Sequence, residues 1–297
     1  MSQVMLPPRT LSLLPIAALL LGATLWGVLW YPLRWFESNG LVGLWVSLII
    51  NAAALAVCLP LLMRQRREIA RAPGSLLLLA LAAGLCNTAF ILAVIEGTVV
   101  RVLLLFYLAP VWASLLGWWL LRERLSATAW ATLLVAMGGA VIMLWNTDLG
   151  RPWPQQTADW LALTSGIAFA VSNVLVRKMV DVPVTVKTMA AWVGGIVLAI
   201  AWMAYANTPL PVVGWEMFAL AAALGVFGIT LMTLAVQYGV SHMPVHRSAI
   251  ILLFELVVGA VSAAWLAQEM LSAQEWAGGL LIVAAAWLSA RSARHED

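Results

Sequence analysis

WWLLRERLSATAW, residues 118–130, returns as AWLAQEMLSAQEW, residues 264–276. Seven of the thirteen positions are identical, among them Glu123 and Glu269, Ser126 and Ser272, and Trp130 and Trp276. The second copy replaces Arg122 and Arg124 with Gln268 and Met270. A repeat that keeps its frame but loses its positive charge indicates that its two copies face different surroundings.

The composition identifies those surroundings. Of the 297 residues, 64% are hydrophobic and only 10% charged. A soluble domain is about 45–50% apolar and about 25% charged, so lipid is the expected solvent. The net charge of +3, with no long basic run, excludes nucleic acid as a partner. Cys58 and Cys86 each sit in an apolar run and are expected to be buried free thiols.

A helix needs about 20 apolar residues to cross a bilayer. Arg, Pro and Asn clusters divide the chain into ten such runs, near 12–33, 40–63, 75–95, 101–121, 126–146, 158–179, 186–207, 215–239, 247–268 and 272–291. The first run continues past the length of a signal peptide to Trp30 and Tyr31, so it is expected to be retained as a membrane helix. Continuous apolarity rather than alternation argues against a β-barrel. The predicted fold is all-α, with ten transmembrane helices.

With the N-terminus placed inside, the inner connections carry 13 of the 16 Lys and Arg, and the outer ones only Arg34, Arg101 and Arg151. That bias predicts two cytoplasmic termini. The repeat of about 146 residues holds five helices, an odd number, so its second copy enters the membrane upside down. Residues 1–148 and 149–297 are the expected halves. The turn with Arg122 and Arg124 is then cytoplasmic and its copy faces outward, where basic residues would oppose the orientation. Inverted repeats of this kind are a signature of alternating-access transporters.

Enzyme signatures are missing. There is no Walker-A loop, dinucleotide glycine fingerprint or HExxH motif, and no metal or cofactor is expected.

At this point the residues carry a resemblance. Leu108-Ala109-Pro110 leading into Leu121-Arg122-Glu123-Arg124-Leu125-Ser126, Leu253-Phe254-Glu255-Leu256 leading into Gln268-Glu269-Met270-Leu271-Ser272, and Trp26-Gly27 resemble the drug/metabolite transporter superfamily in its EamA-type branch. The resemblance spans about 12–291. It departs at Leu256, where the family has proline after glutamate, which predicts that the second half lacks the kink Pro110 can give the first. Within the family the pattern is most similar to bacterial exporters of aromatic amino acids. Drugs, other metabolites or nucleotide sugars are the alternative cargo, and a membrane-embedded transferase is the more distant one. The resemblance implies a multi-pass protein of the bacterial inner membrane, a monomer or weak homodimer, with the lipid bilayer and a small-molecule substrate as its partners.

Polar groups inside apolar helices are candidates for function. Asn87 and Asn173 are expected near mid-membrane in the third and sixth helices, which face each other in the resembling fold. Each fits either cavity lining or an interhelical hydrogen bond, and Asn51 better fits the second. Trp26, Trp30, Phe90, Tyr107, Trp112, Gln237 and Tyr238 complete the expected substrate cavity, with core packing as the competing role for each aromatic. Glu255 fits proton coupling, pairing with a substrate ammonium group, or structural anchoring, and anchoring is preferred. Arg101 and Arg247, 146 residues apart, would either draw carboxylates to the two mouths or snorkel to headgroups. Glu96 and His242 are expected to pair with those arginines or to form gates.

Overall fold

The structure, a computed structural model, describes residues 13–41, 43–145, 154–268 and 270–292. Arg9, Arg151, Glu269 and Arg294, used above for the repeat and the orientation, lie outside the described residues.

The described chain is helical. Five helical stretches make up the first half: α1 (Leu14–Val28) continued by α2 (Trp30–Ser38); α3 (Gly43–Arg64), followed by the short α4 (Arg66–Arg71); α5 (Pro73–Glu96); α6 (Val99–Phe106) with α7 (Ala109–Leu121); and α8 (Ala127–Leu144). The second half has α9 (Thr157–Lys178); α10 (Val184–Tyr205); α11 (Trp215–Ala223), a π-helical segment Leu224–Ile229 and α12 (Thr230–His242); α13 (Val245–Leu252) with α14 (Phe254–Leu266); and α15 (Ala273–Ser292). Among the described residues, nine stretches are long and apolar enough to cross a membrane. The tenth expected span corresponds to α15, which falls short because Gln274 and Glu275 open it and Arg291 lies in its last turn.

Start and stop signals follow local chemistry. Pro73 and Pro110 sit in the first turns of α5 and α7, where a missing N–H costs nothing. Ser126 caps α8 by accepting the N–H of Ala129 at 3.2 Å. Arg122, which ends α7, adopts a left-handed φ of 56°, and Gln268 has one of 58°. The quoted repeat therefore shares its turn geometry as well as its letters.

The halves interlock reciprocally. α1 packs on α12 and α14 of the second half, while α9, its counterpart, packs on α5, α6 and α7 of the first. α10 crosses α3 and α5, and α8 lies against α15. The α5–α10 crossing is backbone to backbone: a Cβ on Gly194 would overlap the carbonyl of Ala80, and one on Gly84 would overlap that of Gly194. Without an apolar driving force between lipid-embedded helices, such small-residue contacts supply the close packing.

One expectation is corrected here. The second half does have a break, at the position matching the first. α6 and α13 are both eight residues long and start 146 residues apart; α7 and α14 are both thirteen. Leu256 therefore does not make the second span continuous. There the backbone tightens into i→i−3 bonds, Leu253 N–H to Ile250 O at 3.2 Å and Leu256 N–H to Leu253 O at 3.0 Å. Buried packing of Ile250, Leu253 and Leu256 against Tyr107 holds the break without proline.

Candidate functional site

The two breaks meet in one cluster that joins Tyr107 and Phe106 to Ile250, Leu253, Leu256 and Val257 and packs them against Leu133 and Ala136 of α8 and Ile282 and Ala285 of α15. At each break a glycine from the other half lets backbone approach backbone. A Cβ on Gly166 would lie 2.7 Å from the Phe106 carbonyl oxygen, and one on Gly27 would lie 2.7 Å from that of Glu255. Tyr107 of the first half lies close to Glu255 of the second. Cys86 stands near the same carboxylate, and its carbonyl accepts the Ser165 hydroxyl at 2.7 Å.

An aromatic group adjoins this point. Phe106 packs against Phe90 with centroids 4.9 Å apart, against Tyr107 at 5.2 Å and against Phe169 at 5.6 Å. Edge-on and tilted geometries of this kind suit aromatic quadrupoles and present an apolar surface adaptable to another ring. Of the expected cavity residues, Phe90 and Tyr107 are thus brought together beside the coupling candidate Glu255, and Trp26 precedes the glycine packed on Glu255.

Each end of α9 carries a charged contact to the first half. At its start, Arg101 Nε donates to Asp159 Oδ1 at 2.7 Å. The other Asp159 oxygen accepts the N–H groups of Gln155 and Gln156 at 2.8 and 3.2 Å, completing a capping box. At its finish, Arg177 Nε donates to Glu123 Oε1 at 3.2 Å, and the same guanidinium donates to the Ser241 carbonyl at 2.9 Å. Glu123 Oε2 accepts the N–H of Val245 at 2.8 Å, capping α13 from outside. Lys187, fully buried at 0% exposure, donates to the carbonyls of Val176 and Met179 at 3.1 and 3.2 Å and to Ser241 Oγ at 2.5 Å.

The remaining sequence candidates fall in several places. Asn87, near the middle of α5, accepts the Ser47 hydroxyl at 2.5 Å, a link from α3 to α5; Asn51 donates to the Ser47 carbonyl at 2.8 Å within α3 and so is not the interhelical bond expected of it. Asn173 is not at mid-helix. It lies five residues before the end of α9 at Lys178 and eight beyond Ser165, about 12 Å along the axis, so the two asparagines are not level. Asn173 and Gln237 are 6% and 7% exposed, and Asn173 Nδ2 and Gln237 Oε1 have no hydrogen-bond partner among the described residues. Trp112 packs with Ala170 and Val174. The Trp30 indole donates to Ser262 Oγ at 2.8 Å, a link from α2 to α14. Tyr238 stacks on His242 at 4.2 Å.

The gating candidates change partners. Arg101 pairs with Asp159, a residue the sequence reading did not single out, while Glu96 and His242 are exposed. Arg247 is 9% exposed and lines a water-sized cavity of about 10 Å³ with Ser126, His246 and Ser289; it is buried in protein and does not snorkel. In the sequence Glu123 stands out only as a repeat residue, and Arg177 and Lys187 only as topology residues. One signal for Lys187 was present: it follows the end of α9 across Pro183 closely enough to return over that helix's orphan carbonyls.

A helical membrane protein, with two halves that exchange equivalent contacts and meet at paired helix breaks, has the build of a transporter rather than an enzyme. The chain belongs to the EamA-like transporter family, whose profile matches residues 13–145 and again 156–291. It is a multi-pass membrane transporter of the drug/metabolite type. A solved structure, described only as "Crystal structure of protein", is similar in fold: 15% identity, a TM-score of 0.78, and coverage of 95% of this chain and 98% of that one. No curated protein matches the sequence.

Proposed function

We propose that this protein exports small amphipathic metabolites, aromatic amino acids first, by alternating access between two inverted five-helix halves. In this reading α15 completes ten spans, both termini are cytoplasmic and the membrane is the bacterial inner one. The observation that carries the reading is the meeting of the two helix breaks, where Tyr107 and Glu255 come together across the halves beside Phe90, Phe106 and Phe169. Broken helices at a repeat interface are where transporters of inverted-repeat design hold their cargo. Aromatic walls with a few fixed polar groups suit a ring that carries a charged head. Ion pairs at both ends of α9 supply the barriers that such a mechanism opens in turn.

The test is a substrate panel in proteoliposomes, run with and without a pH gradient. Phenylalanine, tyrosine and tryptophan are expected to move, and to compete with one another, ahead of aliphatic amino acids and nucleotide sugars. Faster movement of a nucleotide sugar, or of a bulky cationic drug, overturns the assignment of cargo.

A further inference from the structure

The inner end of α9 holds more positive than negative charge. Lys187 and Arg177 lie in one network whose carboxylate, among the described residues, is Glu123. Lys187 is satisfied by neutral oxygens alone among its described partners: two carbonyls and a hydroxyl. Buried charge is tolerated when paired, so this network has capacity for another anion.

The next turn inward is polar and incomplete. Arg177 joins α9 to α12 through the Ser241 carbonyl at 2.9 Å. Asn173 stands four residues before Arg177, and Gln237 four before Ser241, whose hydroxyl donates to the Gln237 carbonyl at 2.7 Å. Positions four apart share a helix face, so the two amides lie about one turn, or about 5.4 Å, deeper than the Arg177–Ser241 contact. Both are more than nine-tenths buried, and each has a side-chain atom with no partner. A buried polar atom left unmet costs about 1–3 kcal/mol, and here one donor and one acceptor on two packed helices are unmet in this way. Asn173 is also four residues from Phe169, which touches Phe106. Phe169 and Asn173 thus share a face of α9, with the break at one end of that row and Arg177 at the other.

We propose that this turn is the head-group subsite of the transport path: the solute's carboxylate is received by the Asn173 amide under the positive field of Arg177 and Lys187, with Gln237 accepting a hydrogen bond from an adjoining donor. The transported class is then apolar carboxylates, amino acids and their deaminated analogues, and not amines. This rests on the transport reading above and narrows it.

Two ring analogues that each keep one charged group test it: 3-phenylpropionate, without the ammonium, and phenethylamine, without the carboxylate. In proteoliposomes, phenylpropionate is expected to inhibit phenylalanine transport at least tenfold more strongly than phenethylamine. The near-isosteric Asn173→Asp, which places a carboxylate where one is to bind, is expected to weaken phenylpropionate inhibition about tenfold or more and to leave phenethylamine no weaker than before. Melting temperature of the purified protein with each analogue reads binding apart from transport and confirms that the variant folds. Phenethylamine inhibiting as well as the acid, or an Asn173→Asp protein that folds and still binds phenylpropionate normally, overturns the subsite. A protein that moves no phenylalanine but is stabilised by phenylpropionate alone overturns the aromatic amino acid reading and keeps the subsite. Stabilisation by neither analogue overturns the subsite, and with no movement of phenylalanine it overturns both.

Discussion

The two ends of α9 are fastened to the first half by single carboxylates of opposite origin. At one end the acid, Asp159, belongs to the second half and its partner Arg101 to the first; at the other the acid, Glu123, belongs to the first half and Arg177 to the second. The contacts differ in dryness. Arg101 and Asp159 side chains are 14% and 3% exposed, whereas those of Arg177 and Glu123 are 29% and 17%. An ion pair gains strength, and costs more to strand, as water is removed. The Lys187 bonds at the second end tie α9, α10 and α12 of one half to each other, so they hold that half rigid without fastening it to the other. The lesson is that the Asp159 end is the tighter closure and the Glu123 end the one that opens at lower cost.

That ranking can be broken by stability measurements. Asp159→Ala takes the carboxylate away from a mostly buried arginine and removes the acceptor for two backbone N–H groups. The expected loss is about 3 kcal/mol, at the low end for a broken buried pair, visible as a clear fall in detergent-solubilised melting temperature. Glu123→Ala, in the wetter pair, is expected to cost about 1–2 kcal/mol. A larger loss for Glu123→Ala would reverse the ranking.

Next in size are the two glycines at the breaks. Gly27→Ala and Gly166→Ala each add a carbon 2.7 Å from a carbonyl oxygen, closer than real Cβ atoms approach, so one helix must move. Both are expected to slow transport about tenfold, a change of about 1.4 kcal/mol, and by similar amounts because the contacts are reciprocal. A strong effect of one with none of the other would mean that only one break takes part.

The smallest expected effect is that of Glu255→Gln. A neutral amide keeps the size of the carboxyl group and an accepting oxygen beside Tyr107, so downhill transport should stay within about threefold of the native rate. Loss of the response to an imposed pH gradient, where the native protein has one, would instead make Glu255 the proton carrier.

Much of the fold was readable beforehand, because lipid imposes simple rules. Apolar runs of about 20 residues fix where helices lie, and the Glu123 turn reveals the repeat. The break in the second half was misjudged, since proline was the local cue and Leu253–Leu256 is bent by what packs around it, including Gly27 of a distant helix. The central group was partly readable: Phe90, Tyr107 and Glu255 stand out as aromatic or charged residues inside spans. The charged contacts of α9 were not. Arg177 and Lys187 look like orientation signals at helix ends, and only folding shows that they turn inward onto carbonyls and Glu123. Asn173 stands out in the sequence by its type alone, while its depth and its unmet amide depend on where α9 ends.

Cys86 offers the most direct measurement. It lies beside Glu255 at the meeting of the breaks, and a Cys58→Ala background leaves it as the single thiol. Its reaction with a small membrane-impermeant thiol reagent is to be followed in sided vesicles, with Gln155→Cys and Arg67→Cys proteins confirming which face is outside and which inside. Asp159→Asn is expected to speed Cys86 labelling from the outer face, and Glu123→Gln from the inner face, at least severalfold each. Both variants opening the same face, or neither changing the rate on either, would contradict alternating closure at the two ends of α9.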